Sequence, residues 1–120
     1  MLWLDQSVAT LPALSRSAED AGFGEIWLAD HYFLRDVYVS LAMVAQATSC
    51  VRLGTAVTAV QLRHPALIAS SAATVDELSG GRSLIGVGPG GFEFPAQFNM
   101  HPKSALTMMR EAVEVMRGVL

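Results

Sequence analysis

Short apolar runs alternate along this chain with longer segments of helical spacing, and that alternation constrains the fold more than any single residue does. Residues 25–29 (Glu25-Ile26-Trp27-Leu28-Ala29), Val51 to Val57 and Ser83 to Val87 are rich in β-branched or large apolar side chains and read as strands. Trp3 to Gln6 reads as the end of another. Between them lie helix signals. Thr10 precedes Leu11-Pro12, a hydroxyl cap with proline in the first turn, and Leu11, Leu14, Ala18 and Ala21 recur at helical intervals until Gly22. Asp36 is placed to cap a helix from about Val37 to Ala47. His64-Pro65 opens one that runs to Leu78 and closes at Ser79-Gly80-Gly81. Ser104 opens a last helix to about Val119, with Met109, Val113 and Met116 on its apolar side. Strands joined through helices of this length pair in parallel by right-handed crossovers. An open doubly wound sheet and the first half of a (β/α)8 barrel both fit this order.

Composition narrows the function classes. Apolar residues make up 52% of the 120 and charged ones 16%, which excludes disorder and suits strands buried on both faces. The net charge of −3, with eight unclustered Lys and Arg, gives no support for nucleic-acid binding. No apolar run approaches the ~20 residues that span a bilayer, and no basic segment followed by an apolar core opens the chain, so no signal peptide and no membrane association are expected. The lone Cys50 cannot form an internal disulfide, and a reducing cytoplasm is the default expectation. Standing before a strand, Cys50 is expected to be buried rather than nucleophilic.

In either architecture the chemistry belongs at the C-terminal ends of the parallel strands. Those ends carry Asp30-His31, the segment 56–64, and Gly86 to Gly91. A carboxylate beside an imidazole can bind polar ring atoms or move a proton. The plainer alternative is a turn cap and an exposed His; position at a strand end favours function. Gly86-Val87-Gly88-Pro89-Gly90-Gly91 matches G-x-G-x-x-G, but that fingerprint must open directly into a helix, and the next helix starts near Ser104. A loop whose backbone approaches a flat ring and a plain glycine turn are equally good readings. Arg63 and His64 can hold an anion, although a helix cap and a solvated Arg are the simpler reading. Asp30, His31 and His64 offer a metal-hydrolase alternative without any H-x-H or HExxH spacing. No G-x-S-x-G elbow is present, and the methionines of the last helix are core filler first.

Residues 18–23 (Ala-Glu-Asp-Ala-Gly-Phe), followed by 26–31 (Ile-Trp-Leu-Ala-Asp-His), resemble the second-strand signature of the bacterial luciferase-like monooxygenase superfamily. Residues 52–58 resemble its third strand, Arg63 to Ala66 and Ala73 to Arg82 the helix and turn that follow, and Gly86 to Gly90 the end of the fourth strand. The likeness runs in order over almost the whole chain. It implies a barrel, of which 120 residues make a single partial domain of about four β/α units. Within the superfamily, Asp30-His31-Tyr32, Asp36-Val37-Tyr38, Gly88-Pro89-Gly90 and Ala112 to Met116 are most similar to the coenzyme F420-dependent methylenetetrahydromethanopterin reductase branch.

That resemblance implies hydride transfer at the ring of coenzyme F420, or alternatively FMN, with a small-molecule substrate such as a C–N-bonded methylene-tetrahydropterin. It implies that Asp30 and His31 contact the ring and take part in the chemistry. It implies a non-proline cis peptide at Ala56–Val57, forming with Thr58 a bulge behind the ring, and ring-edge contacts from Gly88, Pro89, Gly90 and Gly91. Relatives carry an acidic residue directly after the glycine turn; here Gly91 stands there, and Glu93 is the candidate for that role. A homo-oligomer is expected, with little activity from these 120 residues alone, because an open half-barrel exposes strand edges and pairs or aggregates. A flavin monooxygenase, a metal-dependent barrel hydrolase and a non-catalytic half-barrel subunit are the other readings.

Overall fold

The computed structural model describes residues 7–91, 97–100 and 104–120. Helices α1 (Leu11–Asp20), α2 (Val37–Ala47), α3 (Pro65–Ser79) and α4 (Ala105–Val119) alternate with strands β1 (Glu25–Leu28), β2 (Arg52–Thr55), β3 (Thr58–Ala59), β4 (Ser83–Leu84) and β5 (Val87–Gly88). Every pairing is parallel: β1 with β2, β2 with β4, and β3 with β5. The strand proposed at Trp3 to Gln6 lies outside the described residues.

Helices consecutive in sequence pack side by side, α1 on α2, α2 on α3 and α3 on α4. They form one layer on one face of the sheet, as in half a barrel; a doubly wound sheet would divide them between two faces. Ile26, Leu28, Val51 and Leu53 turn toward that layer and pack with Leu41, Val44, Ile68, Val75 and Met116 in one core. The other face of β1 and β2 carries Glu25, Trp27, Arg52 and Gly54. There Trp27 lies so close over Gly54 that a Cβ on the glycine would stand 2.3 Å from the indole. The indole Nε1 donates to Glu25 Oε2 at 2.8 Å, and Glu25 also pairs with Arg52. Among the described residues no helix is long and apolar enough to cross a membrane.

Most helix ends follow the sequence. Asp36 accepts from the Tyr38 and Val39 N–H groups at 3.0 Å, and His64 Nδ1 accepts from Ala66 N–H at 3.2 Å. Gly80 closes α3 with φ 71°, a conformation glycine adopts without a Cβ penalty. Met109 and Val113 pack against the core as expected. Three expectations are corrected. Thr10 takes the N-cap position of α1 as read, but its hydroxyl makes no capping bond and donates to Ser7 O at 2.7 Å; Ser7 caps a 3-10 turn over Val8–Thr10 that feeds directly into α1. The runs Val51–Val57 and Ser83–Val87 are not continuous strands; each is interrupted, because the two share a bulge. Cys50 does stand before the strand but is exposed rather than buried, in the bend between α2 and β2.

Two side chains tie down the N-terminal ends of the strands. Arg82 uses its whole guanidinium on Ser79 O (2.7 Å), Thr48 Oγ1 (3.1 Å), Val51 O (2.8 Å), Ala45 O (3.1 Å) and Thr48 O (3.0 Å). It thereby satisfies carbonyls at the C-terminus of α2 that the helix cannot pair itself. The Glu19 carboxylate accepts from the successive N–H groups of Ser49 (3.0 Å), Cys50 (2.6 Å) and Val51 (2.9 Å). Those backbone hydrogen bonds, from Cys50 first, then Val51 and Ser49, push the Glu19 pKa down to about 2.

Two outcomes follow for the full-length protein. Arg82→Ala removes five hydrogen bonds and orphans their acceptors, so denaturant unfolding should show a loss of about 2–4 kcal/mol, with Arg82→Lys intermediate. Glu19 contributes stability that is complete above its ordinary value near 4.5 and lost as the pH falls toward 2. Glu19→Gln should therefore lower Tm at pH 7, with the gap to wild type closing between about pH 4.5 and 2; a gap independent of pH would contradict this.

Candidate active site

Between the β2–β4 and β3–β5 pairings, three residues of one strand (Thr55, Ala56, Val57) oppose two of the other (Ile85, Gly86). One extra residue makes a β-bulge, which bends the strand and re-aims a side chain. The Ala56–Val57 peptide at its centre is cis, as the resemblance implied. Thr55 fills the gap in the ladder: its hydroxyl donates to Gly86 O at 2.8 Å and accepts from Gly86 N–H at 3.1 Å. Regular pairing resumes with Thr58 N–H to Gly86 O at 2.8 Å.

The bulge sets Val57 over the facing glycines. A Cβ at Gly86 would lie 2.0 Å from Thr55 O and 3.3 Å from Val57 Cγ1; one at Gly88 would lie 2.9 Å from Val57 Cγ2. Only glycine permits this approach. Val57 is nonetheless 47% exposed, leaving an apolar surface backed by bare main chain at the C-terminal ends of the strands. The loop beyond is fixed by Gln61, whose side-chain amide donates to Pro89 O, and by Gly90 in the left-handed region at φ 87°.

Beside this surface lies a cleft of ≈ 400 Å³ lined by Asp30, Tyr32, Arg63 and His64 over Ala59 and Leu67. Asp30 is partly buried, and burial raises its pKa above the ordinary carboxylate value, although the neighbouring Thr58 and Arg63 act to lower it. The buried Tyr38 hydroxyl lies 3.2 Å from Thr58 Oγ1, and burial raises its pKa too. Arg63 pairs with Asp36 at 2.6 Å and stands 5.1 Å over the Tyr38 ring. Burial acts to raise the Asp36 pKa, but the Val39 N–H and the Arg63 pairing together bring it below the ordinary value.

Of the residues singled out from sequence, Asp30, His31, Ala56, Val57, Gly88, Pro89, Gly90 and Gly91 all fall at this end of the strands. His31 stacks on Tyr32 at 4.6 Å between centroids and accepts from Phe33 N–H at 3.4 Å. Thr58 is fully buried, and its hydroxyl lies 3.2 Å from Tyr38 Oη. Glu93 lies outside the described residues. His64 serves as the cap of α3, as in the simpler reading given above, whereas Arg63 is not merely solvated but paired with Asp36 over the Tyr38 ring. Among the described residues no three His, Cys, Asp or Glu side chains come together as a metal would require. Tyr38, Thr55 and Gly86 were missed. Tyr38 sits two residues after its N-cap, at the end of the helix that faces the strand tips, and that position was the available signal.

Residues 4–120 match the Luciferase-like monooxygenase family. The chain is 38% identical over 106 residues to 5,10-methylenetetrahydromethanopterin reductase of Methanolobus tindarius, covering 88% of this chain and 32% of that protein. It is 41% identical over 100 residues to the Archaeoglobus fulgidus protein of the same name, covering 83% and 30%. In structure it is similar to the coenzyme F420-dependent tetrahydromethanopterin reductase of Methanopyrus kandleri, with a TM-score of 0.87 and 32% identity, over 96% of this chain and 37% of that one. The chain thus spans about a third of the length of the curated relatives it matches. With the strand order, the single helix layer and the bulge, these matches establish that the chain belongs to the luciferase-like monooxygenase family.

Proposed function

We propose that this chain is the N-terminal portion of a coenzyme F420-dependent oxidoreductase whose deazaflavin ring rests on Val57. The carrying observation is the half-exposed Val57, held against Gly86 and Gly88 where any side chain would collide. A flat ring needs a flat apolar support with polar groups at its rim. Val57 and the glycine strand supply the first; Asp30 and His31, at the end of β1, supply the second. The coenzyme, when bound, would supply hydride chemistry at its ring, with the protein contributing alignment. Asp30 and His31 would hold polar ring atoms, while Gly88, Pro89, Gly90 and Gly91 would line the ring edge without side chains in the way. Glu93 is the candidate acid beyond that loop. The names of the two reductases support a C–N-bonded methylene-tetrahydropterin as the substrate class.

Fluorescence titration of the full-length protein with coenzyme F420 tests this reading. Wild type should bind saturably and in preference to FMN. In Gly88→Ala the new Cβ turns Val57 out into the ring's place, so the coenzyme Kd should rise about tenfold in a protein that still folds. In Gly86→Ala the clash is with the Thr55 carbonyl, which cannot rotate away, so the loss of about 1–3 kcal/mol falls on stability instead. Preferential FMN binding would move the assignment to a flavin enzyme, and saturable binding untouched by Gly88→Ala would place the ring elsewhere.

A further inference from the structure

The β3–β5 ladder ends where the Val60 N–H donates to Gly88 O at 3.1 Å. Past that point the chain turns through Pro89, Gly90 and Gly91. Pro89 has no N–H to donate, and neither glycine has a side chain to pack. Gly90 takes the left-handed conformation at φ 87°, and Gly91 is exposed. Among the described residues a single hydrogen bond reaches these three, from the Gln61 side-chain amide to Pro89 O. A carbonyl only accepts, so Gln61 must turn its Nε2 toward Pro89. That fixes Oε1 on the other arm of the amide, where it is buried and meets no donor among the described residues. An orphaned buried acceptor costs at least as much as one ordinary hydrogen bond contributes, so the glutamine adds nothing to stability. What it does secure is the place of Pro89.

We propose that Gln61 is a positioning residue for the coenzyme, holding the turn at Pro89, Gly90 and Gly91 in its receiving conformation before the ring arrives. This rests on the reading of that turn as a ring-edge contact. Consecutive glycines lose more backbone freedom on ordering than other residues do. A loose turn would lose that freedom when the ring binds and weaken binding accordingly; a turn already tied has lost it on folding. The anchor is firm. Gln61 lies between β3 and the capped start of α3, in a turn closed by Leu62 N–H to Ala59 O at 3.1 Å. The tie thus joins the connection after β3 to the turn after β5, at the same end of the strands as Val57.

The test uses the full-length protein labelled with 15N at glycine, with the Gly90 and Gly91 amides assigned. Gln61→Met keeps the length and bulk of the side chain and removes the tie and the orphaned oxygen together. Its Tm should stay at or slightly above that of wild type, while the order parameters of Gly90 and Gly91 fall toward those of flexible chain. The coenzyme Kd should rise about tenfold. Gln61→Glu keeps the shape, but a carboxylate only accepts, so it should loosen the same two glycines. A lowered Tm with unmoved order parameters in Gln61→Met would make Gln61 merely structural and overturn the proposal, as would loosened glycines with an unchanged coenzyme Kd. Glycines that loosen in Gln61→Met, when wild type itself binds no coenzyme, would uphold the tie and refute the function assigned to the site.

Discussion

The close approach of the bulged strand to Gly86 organises everything at the active end of this half-barrel. Thr55 O stands where a Cβ on Gly86 would be, and the Thr55 hydroxyl serves the Gly86 N–H that the interrupted ladder leaves, sharing Gly86 O with the Thr58 N–H. Without that side-chain acceptor, the irregular stretch of parallel sheet would leave the Gly86 N–H unpaired. Once that bond is made, the extra residue has to go somewhere, and it lifts Val57 onto the face above Gly88. The same register change carries Thr58 to within 3.2 Å of the Tyr38 hydroxyl. The apolar support is thus a consequence of the bulge, while the polar rim comes from the end of β1.

The molecule divides its work between the two ends of its strands. At the N-terminal ends, Arg82 and Glu19 are saturated with backbone partners and tie α2, α3 and the turn before β2 together. These bonds hold the frame and offer nothing to a ligand. At the C-terminal ends, exposed apolar surface and a partly desolvated carboxylate coexist, an arrangement that favours ligand binding over stability. Trp27 over Gly54, with Glu25 and Arg52, occupies the inner face between the two ends.

Elements coded by local chemistry were legible in the sequence. The α2 boundaries follow from Asp36, and those of α3 from His64-Pro65 and Gly80, because caps and left-handed glycines act within a few residues. The strand-end location of Asp30-His31 followed from the βα order alone. The bulge had no local signal: Val51 to Val57 is a smooth β-branched run, and its break depends on a register shift against β5, thirty residues away. Only the likeness to a family placed it. Thr10 misled because a hydroxyl before Leu-Pro looks like a cap whether or not a 3-10 turn precedes it. Cys50 misled because preceding a buried strand does not bury a residue of the connecting bend. The Tyr38–Thr58 contact joins two elements twenty residues apart and was invisible for the same reason.

The central claim is that Val57, raised by the bulge over Gly86 and Gly88, is the seat of the ring. The most direct measurement is a crystal structure of the full-length protein with coenzyme F420 bound. The account predicts the deazaflavin in van der Waals contact with Val57, its edge along Gly88 to Gly91 and a polar ring atom within hydrogen-bond distance of Asp30. A ring bound elsewhere, with the Val57 face open to solvent, would contradict it.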